Sequence, residues 1–240
     1  MRRDHRPYSL KRLIGHIEAL FVTHRIAPQL DALGPGHMIM KPWYLKLWGP
    51  NITFGRAVHV ITARDRTVRL TTWTHDDGTG AISIEDYALL CPGVRIDSAT
   101  HVTIGTNTML AAGVYITDAD WHEVYDRGKP IGKTSAVILG NNVWVGDGAI
   151  IGKGVTVGDN TIIGAGAVVT KSLPENVIAA GNPAKVVKRL DPEVSMRNRS
   201  DLLADHTQLA RQLDSLEKHL RRDNSWWHWL RTCLAPTRED

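Results

Sequence analysis

Between Leu139 and Val169 an aliphatic residue recurs at every sixth position: Leu139, Val145, Ile151, Val157, Ile163 and Val169. Glycine follows the first five, at Gly140, Gly146, Gly152, Gly158 and Gly164. A small or β-branched residue holds the fifth place of each unit, at Val143, Ala149, Val155, Thr161 and Ala167. With glycine at about 7% of an average chain, five at five chosen places arise by chance on the order of once in a million. A six-residue unit is too short for a helical repeat and supplies one short strand and one turn. The aliphatic residue points inward and stacks on its equivalents. The glycine takes a corner where unusual backbone angles are tolerated, and the small fifth residue fits a narrow interior. No unit buries its own apolar face, so only stacking makes a core. The spacing predicts an all-β solenoid rather than packed layers.

A looser form of the repeat starts earlier. Ile84, Leu90 and Ile96 are six apart, with Ala88 and Val94 in fifth place, and Ile104, Leu110 and Ile116 repeat this with Thr108 and Val114. Ile96 to Ile104 is eight, which implies two extra residues at one corner. Ile116 to Leu139 is twenty-three, so about seventeen residues leave the solenoid, over 117–136. Loops of that length are usually functional. Ile52 and Val58 would open a first, irregular coil.

A length of 240 residues predicts one principal domain with extensions. Residues 1–50 carry an amphipathic helix (Leu10, Leu13, Ile14, Ile17, Leu20, Phe21) ending before Pro28, then an aromatic segment with Trp43, Tyr44 and Trp48. The solenoid spans 51–188, with Pro174 marking its exit. Residues 189–240 comprise a polar linker, a helix near 200–222 and a tail. That helix carries a heptad-like stripe of Leu202, Leu209, Leu213, Leu216 and Leu220. The tail sets Trp226, Trp227, Trp229 and Leu230 beside Arg221, Arg222 and Arg231. Three roles stay open for this end: a bilayer-interface contact, a bundle of helices from several protomers, or packing on the solenoid.

Net charge is only +4, which is weak evidence for any polyanionic partner, and no nucleic-acid partner is expected. Cys91 and Cys233 lie far apart, outside metal-ligand spacing, so neither a disulfide framework nor a metal is expected. No secretory signal pattern and no stretch of about 18 apolar residues stands out, so a cytoplasmic setting is the expectation.

Four stretches together carry a resemblance: Thr117–Asp118–Ala119–Asp120–Trp121–His122, Asn141–Asn142–Val143–Trp144, Gly164 through Lys171, and Ala180–Gly181–Asn182–Pro183–Ala184–Lys185. Over roughly 84–190 the chain resembles the left-handed parallel β-helix O-acetyltransferases of the galactoside, maltose and nodulation type. The resemblance implies about three hexapeptides per coil, left-handed winding, and a homotrimer with active sites between protomers. It implies transfer of an acetyl group from acetyl-CoA to a hydroxyl, commonly of a sugar or saccharide-containing precursor. His122 matches the family's catalytic histidine, and a histidine with an unperturbed pKa of about 6.5 suits removal of a hydroxyl proton. Gly164 and Ala165 match positions whose main chain lines the pantetheine groove, and Trp144 matches an aromatic position close to it. Thr170, Lys171 and Lys185 match positions near the phosphates and adenine. Asp97 and Asp118 are candidate acceptor contacts. Sugar-acetylating relatives commonly carry an asparagine two coils before the loop histidine, where this chain has Leu90–Cys91–Pro92–Gly93–Val94.

Two other readings bear on these residues. A γ-class carbonic anhydrase needs histidines five apart, but Thr117 and Arg127 flank His122 at that distance, and Ile96 and Thr106 flank His101. A non-enzymatic solenoid, structural or attached to a membrane through the termini, is the alternative. It has no use for a long loop bearing a histidine.

Overall fold

The computed structural model describes residues 3–75 and 78–238. The first two positions of the 1–50 segment and the last two of the 189–240 segment lie outside them. Six coils of three short strands build three parallel sheets. The first sheet stacks Ala32–Leu33, Ile52–Phe54, Ile82–Ile84, Val102–Ile104, Val137–Leu139 and Thr156–Val157. The second stacks Met38–Met40, His59–Ile61, Leu89–Leu90, Met109–Leu110, Trp144–Val145 and Ile162–Ile163. It closes with Val177–Ala180 and an antiparallel strand, Lys185–Arg189. The third stacks Leu45–Trp48, Val68–Thr72, Arg95–Ser98, Tyr115–Thr117, Ile150–Ile151 and Val168–Val169. The chain is thus a parallel β-helix with helical extensions.

The repeat residues form the core. Ile104, Leu139 and Val157 stand in register on successive coils and are wholly buried. The fifth-place threonines are buried too, and their hydroxyls bond across coils: Thr108 Oγ1 donates to the Gly140 carbonyl at 2.8 Å and Thr161 Oγ1 to that of Pro174 at 2.8 Å.

At Gly140, Gly146 and Gly158 the repeat glycine is required for a reason other than unusual dihedrals, whereas a Cβ on Gly152 would meet its nearest neighbour at an ordinary 3.6 Å. A Cβ on Gly146 would lie 2.5 Å from the Ala165 nitrogen, and one on Gly158 would lie 2.3 Å from that of Glu175. At these corners each coil rides directly on the backbone of the next. The left-handed conformation falls two residues later, at Asn142, Gly148, Gly154, Asn160 and Gly166. Those are the residue types that adopt it at least cost.

The solenoid begins earlier than position 51. A whole first coil, from Ala32 to Trp48, lies in the segment read as an aromatic extension, and Ile52 and Val58 belong to the second coil. Pro174 is not the exit, because Val177–Ala180 still pairs in parallel with Ile162–Ile163. The antiparallel strand Lys185–Arg189 then terminates the second sheet with exposed lysines, a common protection against edge-to-edge association.

Helix α1 (Tyr8–Phe21) ends before Pro28, as expected. The chain runs on through a π turn, Val22–Ile26, and a 3₁₀ turn, Ala27–Gln29. Proline is tolerated there because the first turn of a helix has no use for its missing N–H. Val22 and Ile26 reach the core, whereas Leu13, Ile17 and Leu20 stay exposed. The expected C-terminal helix divides into α2 (Arg199–Leu203) and α3 (His206–Leu220), and the tail forms a further helix, α4 (Trp226–Leu234). Arg199 moors the linker on the second sheet, its guanidinium 2.8 Å from the Tyr87 carbonyl and 3.1 Å from His59 Nδ1. The two termini then dock on each other. Tyr8 donates to Asp214 at 2.8 Å, Trp226 Nε1 donates to Ser9 Oγ at 3.0 Å, and Arg221 meets Asp4 at 2.9 Å.

Candidate active site

Three insertions into the repeat fall at one corner, where the third sheet hands over to the first. Leu70 to Ile84 is fourteen residues where six would continue, Ile96 to Ile104 is eight, and Ile116 to Leu139 is twenty-three. The earliest forms a small hairpin, Thr74–His75 paired with Gly78–Thr79. The last is the expected long loop, and it has structure of its own. Its limbs are tied by bonds from Ser135 N to Asp118 O (2.8 Å), Asp120 N to Lys133 O (3.0 Å) and Gly132 N to Asp120 O (2.8 Å). Gly132 passes so near His122 that a Cβ there would lie 2.7 Å from the His122 carbonyl oxygen.

Asp118 roots this loop. It is wholly buried and accepts from Ser98 Oγ at 2.7 Å, Ala99 N at 2.7 Å and Thr100 N at 2.9 Å. Those three donors are the two-residue insertion and its edge. Asp118 therefore locks one insertion to the next, and its oxygens are spent on the fold rather than turned to an acceptor.

Hairpin and loop enclose a cavity of about 610 Å³. Trp73 and His75 come from the hairpin, Arg95 and Asp97 from the third sheet, and Trp121 and His122 from the outgoing limb of the loop. The returning limb, residues 129–132, closes it. Asp97 is only 2% exposed. It accepts from Thr71 Oγ1 at 2.5 Å and pairs with Arg95 at 2.5 Å. The hydrogen bond to Asp97 raises the pKa of the Arg95 guanidinium, which also lies 4.8 Å from the centroid of the Tyr115 ring. The Nε2 of His75 is 2.9 Å from the Ala99 carbonyl oxygen. Lys153 binds Asp120 and props the loop from the next coil.

Of the sequence-predicted residues, the structure brings His122 and Asp97 into this cavity. Thr170 and Lys171 share its corner two coils further on, exposed to solvent. Trp144, Gly164 and Ala165 lie together elsewhere. Trp144 is exposed on the second sheet in register with Ile162, and Gly164–Ala165 turn the corner from that sheet into the third. Lys185 stands on the exposed antiparallel strand. Among the described residues no cluster of three or more His, Cys, Asp or Glu forms a candidate metal site. Sequence reasoning did not single out Trp73, His75 or Arg95. The fourteen-residue step from Leu70 to Ile84 was the available signal for the first two. Arg95 carries none, being one outward residue between inward Val94 and Ile96.

The bacterial transferase hexapeptide (six repeats) family matches residues 136–171. A protein of Escherichia coli K12, provisionally named as the lipopolysaccharide biosynthesis O-acetyl transferase WbbJ, is 33% identical over 130 residues, covering 50% of this chain and 66% of that protein. Over residues 136–171 the chain carries the bacterial transferase hexapeptide repeat. The polysialic acid O-acetyltransferase of Escherichia coli O1:K1 / APEC is 46% identical over 91 residues, 37% of this chain and 30% of the relative. The galactoside O-acetyltransferase of Lactococcus lactis is 30% identical over 159 residues, 66% of this chain and 63% of the relative. The hexapeptide-repeat chain thus spans between 30% and 66% of the length of these relatives. Among solved structures, the N-acyltransferase AntD of Bacillus cereus, in complex with dTDP and 3-hydroxybutyryl-CoA, superposes with a TM-score of 0.56 at 16% identity, covering 78% of this chain and 93% of AntD. That likeness is one of fold.

Proposed function

We propose that this chain is a coenzyme A-dependent O-acyltransferase that moves an acetyl group from acetyl-CoA to a saccharide hydroxyl, with His122 as general base. The observation that carries this reading is the position of His122, on the wall of a cavity built where three consecutive insertions of a hexapeptide solenoid converge. A hydroxyl becomes an effective nucleophile as its proton leaves. In the proposed reaction an imidazole nitrogen of His122 takes that proton as the hydroxyl oxygen attacks the thioester carbonyl. The C–S bond then breaks, and the imidazolium returns the proton to the departing sulfur. Trp73 and Trp121 supply apolar walls against which a sugar ring packs, and Asp97 and Arg95 supply hydrogen bonds to its hydroxyls.

The donor-binding set fits a second copy of the chain. Trp144 offers an exposed indole beside the Gly164–Ala165 corner, where a flat, narrow pantetheine arm can lie. In one protomer that surface is on a different side of the triangular coil from His122. A left-handed β-helix trimer, with each site between two protomers, unites the two halves. Thr170, Lys171 and Lys185 then meet the phosphates and adenine. In this reading the enzyme works in the cytoplasm and touches the membrane through its terminal helices.

The test is release of free thiol from acetyl-CoA in the presence of saccharide acceptors. His122→Ala is expected to lower turnover by roughly 10²–10⁴-fold, the usual range for a general base, with coenzyme A affinity unchanged. Turnover like that of the unmodified protein in this variant would remove His122 from the mechanism.

A further inference from the structure

A second cavity of about 570 Å³ lies on the outer face of the third sheet and shares Trp73 with the first. Thr71 links them physically: it lines the second cavity, and its hydroxyl holds Asp97, which lines the first. The two adjoin at Trp73 and together trace a trough that climbs the sheet from the first coil to His122. Two ladders of outward residues floor it. One is Trp48, Thr71 and Asp97 in successive register, and the other is Lys46, Arg69 and Arg95. Two inter-strand steps of about 4.8 Å make the floor about 10 Å long, longer than a single sugar ring needs.

The chemistry of the trough selects its occupant. Trp48 is 68% exposed and Trp73 is 46% exposed. Large open indoles spaced along a groove suit the alternating C–H faces and hydroxyl edges of sugar rings. Three cations line one ladder, and Arg69 has no ion-pair partner among the described residues. The one carboxylate on the floor, Asp97, is already neutralised by Arg95. The trough therefore carries net positive charge, and a guanidinium fork matches a carboxylate on two hydrogen bonds.

We infer that the trough binds a carboxylate-bearing saccharide chain of several residues, delivering one residue to His122 while its neighbours lie over Arg69 and Trp48. This rests on the acyltransferase reading for the role of His122, but its own test does not require turnover. The probes are oligogalacturonates and α2,8-linked oligosialic acids of graded length, with neutral malto-oligosaccharides of matched length, titrated into the full chain by calorimetry. At least one acidic series is expected to bind more tightly as it lengthens, to weaken with added salt, and to exceed the neutral series about tenfold or more. Arg69→Ala and Trp48→Ala, both outside the His122 cavity, are each expected to weaken the longer acidic oligomers about tenfold and to flatten the length dependence. Their folding is checked by circular dichroism, and Arg69→Lys and Trp48→Phe, which keep charge or ring, are expected to retain part of the affinity. Preference for the neutral series, or for neither, overturns the inference, as does undiminished binding in both alanine variants. Either result leaves thiol release standing as a separate test of the acyltransferase.

Discussion

The indoles of Trp73 and Trp121 meet with ring centroids 5.7 Å apart and planes inclined at 60°. They come from different insertions, yet each is tied back to the sheet in the same way. Trp73 Nε1 donates to Thr71 Oγ1 at 3.2 Å and Trp121 Nε1 to Thr117 Oγ1 at 3.1 Å. Thr71 and Thr117 flank Asp97 in register on either side. A single rung of the third sheet therefore sets the positions of both indoles, of Asp97 and, through Trp121, of His122.

Replacing Trp73 by alanine removes this clasp without touching the loop. Aromatic pairs contribute about 0.5–1.5 kcal/mol beyond the area they bury. Amide exchange over the 118–135 loop is expected to quicken by up to about tenfold, with the solenoid's thermal midpoint unchanged. Unchanged exchange in the loop would show that its own hydrogen bonds hold it.

Asp118→Ala strikes the root of the same loop. It leaves the Ser98 hydroxyl and the Ala99 and Thr100 amides without their acceptor in a buried corner. Each buried donor left without its acceptor costs roughly 1–3 kcal/mol, so three together are a large share of the ~5–15 kcal/mol of a typical domain. Asp118→Asn keeps an acceptor oxygen and is expected to lose less. Urea midpoints of the two variants provide the comparison, and equal, small losses would refute a structural role.

The inner face of this fold was legible because a strict period leaves few alternatives. An aliphatic residue every six positions, flanked by small ones, can only be the lining of a narrow stack, and Leu139 through Val169 all line it. The first coil was not legible. Leu33, Ile39 and Leu45 do stand six apart, but His37 and Trp43 hold the fifth places where the array elsewhere has small or β-branched residues, so the run did not read as a coil. The loop histidine was visible through a gap in the count. Trp73 and His75 needed the same count carried one gap earlier, and the docking of the termini through Asp4, Tyr8 and Trp226 leaves no periodic trace at all.

His59 sets a pH dependence for the moored linker. Burial first, and then the Arg199 guanidinium, hold its pKa down to about 4 from the ordinary 6.5. Above pH 6.5 the ring is neutral in both folded and unfolded chains, and its contribution is fully present. Between 6.5 and 4 the unfolded chain takes up a proton that the folded chain refuses, so stability falls as pH falls. Asp4, held below the usual carboxylate range chiefly by Arg6 with help from Arg221, acts in a separate window. Its contribution is present above its ordinary 3.8 and is lost only below that. Urea midpoints followed from pH 7 to pH 4.5 are expected to decline in the unmodified protein and to decline less in His59→Gln. Parallel slopes would exclude His59 as the source.

The tail helix has two sides, and they separate its proposed roles. Trp226 is bonded to Ser9 and packs edge-on against Trp229 at 5.7 Å, while Thr232 is buried, so one side of α4 is committed to the N-terminal segment. Trp227 is 80% exposed and Leu234 is 84% exposed, and Leu13, Ile17 and Leu20 of α1 are open as well. Among the described residues no helix is long and apolar enough to cross a membrane, so contact would be at the interface, where Trp is favoured. Single contacts of this kind are weak, but in the proposed trimer three tails would act together and gain avidity. Deleting α4 would strip Ser9 of its partner and confound the two roles, so the informative variants are Trp227→Glu and Leu234→Glu, which alter only the open side. The full chain is expected to sediment with vesicles rich in anionic phosphatidylglycerol. Each variant is expected to lose that binding about tenfold or more, with the trimer intact by light scattering. Indifference of the full chain to such vesicles would refute the membrane contact, and dissociation of the trimer in either variant would assign the open side to contacts between protomers.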